Sequence, residues 1–128
     1  MGFVYSFLGD HRQAIKSLNK ALLLTNIAGN RVIQGLAYNN LGYIYYTICE
    51  YDKALIYYEK YLQISEEIGS QLGKALAINN LGALYLQVGS LEKAEAYLLE
   101  AELLFSRIGD RYTLTETYLF LKAFFSCL

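Results

Sequence analysis

The stretch Ala37-Tyr38-Asn39-Asn40-Leu41-Gly42-Tyr43-Ile44-Tyr45-Tyr46 returns forty residues later as Ala77-Ile78-Asn79-Asn80-Leu81-Gly82-Ala83-Leu84-Tyr85-Leu86. A self-match at fixed spacing marks a repeat array, in which each unit is one supersecondary element whose apolar face only a neighbouring unit can cover. The punctuation keeps the same period. Ile68-Gly69-Ser70 is answered by Ile108-Gly109-Asp110, and Gly29-Asn30 stands one period earlier. The chain therefore divides into a truncated repeat (1–30), two full repeats (31–70 and 71–110) and a terminal segment (111–128).

The units are helical. Proline is absent, and Ala, Leu, Tyr, Lys and Glu dominate, a balance that favours helix throughout. Each full repeat holds two helices: 31–48 with 53–68, and 71–88 with 91–108. Ala54, Leu55, Tyr58, Tyr61, Leu62 and Ile64 fall at helical spacing on one face of the first return helix. Ala94, Tyr97, Leu98, Ala101, Leu104 and Phe105 do so in its copy. In the leading unit a half helix (2–8), a Gly9-Asp10 turn and a helix from His11 to Asn26 are expected, the latter with Ala14, Ile15, Leu18, Ala21 and Leu22 inward. Glu50-Tyr51-Asp52 is read as a turn, Asn30, Ser70 and Ser90 as N-caps, and Arg111–Cys127 as a last helix. The sum is all-α: about seven helices stacked as antiparallel hairpins in a right-handed superhelix, an α-solenoid whose first-type helices line the concave side.

The pattern resembles the tetratricopeptide repeat in its longer, forty-residue form. Leu41, Gly42, Tyr45, Ala54 and Tyr58 carry the resemblance in one copy. Leu81, Gly82, Tyr85, Ala94, Leu98 and Ala101 carry it in the next, and Gly2, Tyr5, Ala14, Leu18 and Ala21 in the leading one. It covers essentially the whole chain. Gly42 and Gly82 are expected where paired helices cross closely, with Ala54 and Ala94 as small partners and Tyr45 and Tyr85 filling the gap a turn away. The chain departs from the family pattern in three ways: the proline that often follows the second helix is replaced by Gly29, Gly69 and Gly109; Lys122 stands where glycine is expected; and the chain opens halfway through a helix, as a fragment of a longer array would. Cys49 aligns with Gly9 and Gly89, at a helix end that calls for a left-handed backbone.

Composition narrows the function. The formal net charge is −1 and no block of Lys or Arg occurs, which speaks against nucleic-acid and anionic-membrane binding. No apolar run reaches the length of a membrane helix. Met1-Gly2 with Ser6 has the spacing of a myristoylation site, but Gly2 occupies the packing position of Gly42 and Gly82. Cys49 and Cys127 have no metal-ligand spacing and make no disulfide framework, so a cytoplasmic location is expected. The lone His11, the pairs Glu66-Glu67 and Glu92 with Glu95, and the absence of a phosphate loop or nucleophile elbow give no convergent catalytic set. No enzyme activity, cofactor or metal is expected.

The Asn pairs are the informative polar feature. Asn is a mediocre helix former, yet Asn39-Asn40 and Asn79-Asn80 recur mid-helix at one period. They flank Leu36 and Tyr43, or Leu76 and Ala83, away from the packing face. The resemblance implies that this side lines a concave groove where such amides grip a peptide backbone, since an amide both donates and accepts. The alternative is that one Asn of each pair bonds between repeats and orders the stack. Tyr43, Tyr46, Phe3 and Leu86 are candidate pockets for ligand side chains. The groove set is thus Leu36, Asn39, Asn40, Tyr43, Tyr46, Leu76, Asn79 and Asn80, with Asn39 and Asn79 foremost. It holds no Lys or Arg, so the capture of a chaperone's C-terminal carboxylate, known in some similar domains, is not expected. The expected partner is an extended peptide or protein segment. Two other readings remain open. The array is a regulatory segment of a larger signalling protein with an intramolecular partner, or it self-associates through apolar ends such as Phe120, Phe124, Phe125 and Leu128.

Overall fold

Left-handed backbone positions set the length of every element. The computed structural model of the chain describes residues 2–109, with side chains from residue 10 onward. Among these residues lie five α-helices and no strand: α1 (Gly2–Ala28), α2 (Arg31–Thr47), α3 (Tyr51–Glu67), α4 (Gln71–Val88) and α5 (Leu91–Ile108). Gly29, Gly69, Gly89 and Gly109 have φ of 73°, 71°, 86° and 83°, the region where a side chain is disfavoured. Around four turns the same hydrogen bond closes the helix end: Asn30 N to Thr25 O, Glu50 N to Tyr45 O, Ser70 N to Ser65 O and Ser90 N to Tyr85 O, at 2.8–3.0 Å. Each joins the residue after the left-handed position to a carbonyl five back, the signature of a Schellman end. Cys49 occupies this position with φ of 65°, the one non-glycine residue with positive φ among the described residues.

The extensive helix contacts run from each helix to the next: α1 with α2, α2 with α3, α3 with α4, and α4 with α5. That is the contact pattern of an array. Two packed clusters share α4. Ala75 and Ile78 meet Ala101, Leu104 and Phe105 of α5. Leu81 and Leu84 meet Ala54 and Tyr58 of α3. Within each hairpin the glycines bring the helices together, as expected, but not against the alanines. A Cβ on Gly42 would lie 2.5 Å from the Tyr58 ring, and one on Gly82 would lie 2.8 Å from the Leu98 side chain and 3.2 Å from its backbone nitrogen. Ala54 and Ala94 are fully buried one turn before these contacts.

Several expectations are corrected. The first is the helix count. The half helix 2–8 and the helix from His11 are one continuous element, α1. Gly9 does not turn, and His11 lies inside α1 instead of at a helix start. Residues 2–8 amount to about two helical turns, too little surface to hold a hairpin closed, whereas glycine inside a helix costs only about 1 kcal/mol relative to alanine. Glu50-Tyr51-Asp52 is not a separate turn, because α3 begins at Tyr51 with Glu50 as its N-cap. Asn30 and Ser70 do cap: their side-chain oxygens accept from Ile33 N at 3.2 Å and Gly73 N at 3.0 Å. Ser90 holds the N-cap position of α5 without a side-chain cap bond. Leu55, Leu62 and Tyr97 are half-buried at the edge of the core. The last helix expected over 111–127, with Lys122, Cys127 and the Phe120–Leu128 cluster, and the side chains of Phe3 and Tyr5, lie outside the described residues.

Two stability effects follow. Replacing Cys49 with glycine relieves a left-handed Cβ and should raise unfolding free energy by about 1 kcal/mol, read from urea unfolding; an unchanged midpoint would contradict the strain. Gly42→Ala forces a methyl into the Tyr58 ring and should destabilise by about 1–3 kcal/mol in the same measurement, while the exposed Gln63→Ala control stays close to wild type.

Candidate functional site on the face of α2 and α4

Helix α2 presents a row at i, i+4, i+7: Leu36, Asn40 and Tyr43, all exposed, Tyr43 at 63%. Helix α4 brings up Leu76 and Asn80, both half-buried. One hydrogen bond ties the two helices across this face. Asn80 Nδ2 donates to Asn39 Oδ1 at 2.8 Å. The bond engages the Oδ1 acceptor of Asn39 and the Nδ2 donor group of Asn80; a side-chain amide carries both functions, so each residue has a further group of the opposite kind. Asn79 is placed differently, being only 6% exposed and turned into the packed interior. Tyr46 is half-buried, with its ring edge against Tyr51 at 5.8 Å between centroids. Burial raises the pKa of its phenol. Leu86 and Ala83 are half-buried on α4.

Below the Asn row, toward the start of α2 and α4, lies an apolar pocket of about 180 Å³. Val32 and Leu36 form one wall and Leu72 and Leu76 the other, with Ile64 of α3 and its C-cap Ile68 also in the lining. Gly35 and Gly73 keep it open at the base, where a Cβ on Gly73 would lie 2.6 Å from Ser65 Oγ. Tyr61 also lines it; burial raises the pKa of its phenol, and a hydrogen bond with Ser65 acts the other way. Close by, Arg31 pairs with Glu67 at 3.2 Å and donates to Gln34 Oε1 at 3.2 Å. The face is therefore neutral and mixes amide, aromatic and aliphatic groups. Among the described residues there is no cluster of His, Cys, Asp or Glu able to hold a metal ion, and no helix long and apolar enough to cross a membrane.

The structure brings Leu36, Asn39, Asn40, Tyr43, Leu76 and Asn80 to one face, packs Tyr46 against the core cluster of Ala54, Tyr58, Leu81 and Leu84 and buries Asn79. Sequence reasoning missed the pocket, whose walls come from three helices. It also missed a second repeating device on another side of α2. Lys53 sits over the Tyr45 ring at 5.3 Å, and Tyr45 stacks on Tyr57 at 5.5 Å. One period later Lys93 sits over Tyr85 at 5.3 Å, and Tyr85 stacks on Tyr97 at 5.4 Å. The signal was present, since all three pairs are forty residues apart. The Asn39–Asn80 bond is testable by a double-mutant cycle. Asn39→Ala and Asn80→Ala should show a coupling of about 0.5–1.5 kcal/mol in unfolding free energy; additive effects would show that the bond contributes nothing.

Comparison with known proteins places this geometry. Family models described as tetratricopeptide repeat match residues 1–67 and 75–101. No curated protein matches the sequence. Among solved structures the chain is similar to a Signal Transduction ATPase with Numerous Domains (STAND) protein with a tetratricopeptide repeat sensor from Pyrococcus horikoshii. The TM-score is 0.82 at 26% identity, covering 86% of this chain and 17% of that one. It is also similar to BtubC (BKLC) from P. vanneervenii, with TM-score 0.85 at 27% identity, covering 94% of this chain and 50% of that one. The chain thus spans half or less of the length of these two structures.

Proposed function

The chain belongs to the tetratricopeptide repeat family, and from that premise we propose that it is a non-enzymatic protein-interaction scaffold which binds an extended peptide or partner segment along the face of α2 and α4. The observation that carries this reading is the Asn80–Asn39 hydrogen bond, which sets two side-chain amides together across the face, each with donor and acceptor groups. A peptide unit laid across them gives its carbonyl to Asn39 and its N–H to Asn80. Leu36, Asn40 and Tyr43 flank that point in the open, and Leu76 lies beside it. Tyr46 shapes the edge, and Asn79 supports the row from beneath. The pocket of about 180 Å³ is of the size to seat one aliphatic or aromatic side chain, given that an engineered apolar cavity of about 150 Å³ takes up benzene. Right-handed coiling of the array makes this face its concave side, and a cytoplasmic location suits the exposed thiol of Cys49.

A second reading, that the array is the regulatory segment of a larger signalling protein with an intramolecular partner, draws support from the likeness to the STAND protein with its repeat sensor. The reading of self-association through apolar ends, made on Phe120, Phe124, Phe125 and Leu128 outside the described residues, draws separate support from Leu23, Leu24 and Ile27, which α1 leaves exposed. A peptide-array screen of purified protein, checked as monomer by sedimentation, tests the main reading. Wild type should select a class of apolar-anchored peptides, and Leu36→Ala/Tyr43→Ala should lose most of that binding with an unchanged melting temperature, because both side chains are largely outside the core. No peptide bound above background would overturn peptide binding and favour an intramolecular partner.

A further inference from the structure

A second pocket, of about 490 Å³, opens on the side of the array where α1 faces the junction of α2 and α3. From α1 it is lined by Arg12, Lys16 and Asn19, and from the junction by Tyr45, Glu50 and Lys53. It is distinct from the α2–α4 face. Tyr45 lies two residues past Tyr43, about 200° around the helix, so it points to a different side. The Lys53 ammonium is 3.3 Å from Glu50 and also lies over Tyr45. Arg12 and Lys16 have no carboxylate within 4 Å among the described residues. Three cations against one carboxylate leave the pocket cationic in a chain whose formal net charge is −1.

The repeat supplies an internal comparison. One period on, Tyr85 and Lys93 replace Tyr45 and Lys53 in kind, and the Lys–Tyr–Tyr stack is preserved. The positions matching Arg12, Lys16 and Asn19 are Asp52, Ile56 and Glu59. The shared geometry of the fold therefore accounts for the stack but not for the cations, which belong to the first copy alone.

We propose that this pocket is a docking site for an acidic segment of a protein partner, with Arg12 and Lys16 pairing with successive carboxylates and Asn19 donating to the segment's backbone. Spacing supports the assignment. Four residues along a helix advance about 6 Å, close to the about 6.6 Å between alternate side chains of an extended strand, so Arg12 and Lys16 meet the carboxylates of an alternating acidic sequence. Glu50, standing in the lining, favours singly charged carboxylates spread along a chain over one concentrated dianion such as a phosphate.

The test is fluorescence anisotropy with a labelled alternating Glu-Ala peptide, using the full chain. Binding should weaken as salt rises from about 50 to about 300 mM. Arg12→Gln/Lys16→Gln should lower affinity about fivefold or more. The equal-charge control Lys74→Gln/Arg107→Gln should bind as wild type does. Both pairs of substitutions are on helix surfaces, and circular dichroism confirms the fold of each variant. Equal loss in the control, equal binding of a Gln-Ala peptide, no binding of the Glu-Ala peptide, or tighter binding of its phosphoserine counterpart would each overturn the proposal. None of these outcomes bears on the α2–α4 face, whose variants keep Arg12 and Lys16.

Discussion

The structure depends on how closely the two helices of a hairpin cross. At Gly42 the Tyr58 ring occupies the volume a side chain would need, and at Gly82 the Leu98 side chain and backbone do the same. These contacts set the distance between α2 and α3 and between α4 and α5. They also turn Leu41 and Leu81, the neighbours of the two glycines, fully inward. Once the hairpins are closed, α4 has apolar groups on more than one side, and it joins the core with α3 to the core with α5. Because each helix meets chiefly its neighbours, order passes along the chain as in other repeat arrays, through interfaces between adjacent elements.

The same crossing decides what is left outside. With Leu41 and Gly42 facing in, the positions half a helix away, Leu36, Asn40 and Tyr43, face out. Two adjacent asparagines in each copy then fall on either side of a boundary. In α4 that boundary lies between Asn79, which is buried, and Asn80, which reaches Asn39. An interior amide and a bridging amide are thus made from one dipeptide. Elsewhere the Lys–Tyr–Tyr stacks join α2 to α3 and α4 to α5 through ring and cation contacts that are individually small, about 0.5–1.5 kcal/mol.

Much of this was legible in the residues. The forty-residue period fixed the boundaries of α4 and α5, and the glycine punctuation gave Gly29, Gly69, Gly89 and Gly109 their left-handed turns. Alignment with Gly89 identified the conformation of Cys49. The errors came where a local signal is permissive and not compelling. Gly9 permits a turn but does not impose one, and α1 runs through it. A serine before a helix permits a cap, which Ser70 forms and Ser90 does not. For the site, periodicity put the Asn row on one face but could not divide the roles within a pair, because Asn79 and Asn80 differ by only 100° around a helix.

The amino-acid sequence by itself determined the architecture: a helical array of forty-residue hairpins with glycine at each crossing and at most turns. At the turn between α2 and α3 Cys49 takes the place of that glycine. The sequence could do this because turn chemistry and helical spacing are local and are stated more than once in the chain. Only the tertiary structure decided which glycine contact closes each hairpin, which asparagines bridge the helices, and where the apolar and cationic pockets open. Those features are made by side chains from two or three helices at once, and their distances are set by packing that no single stretch of the chain contains.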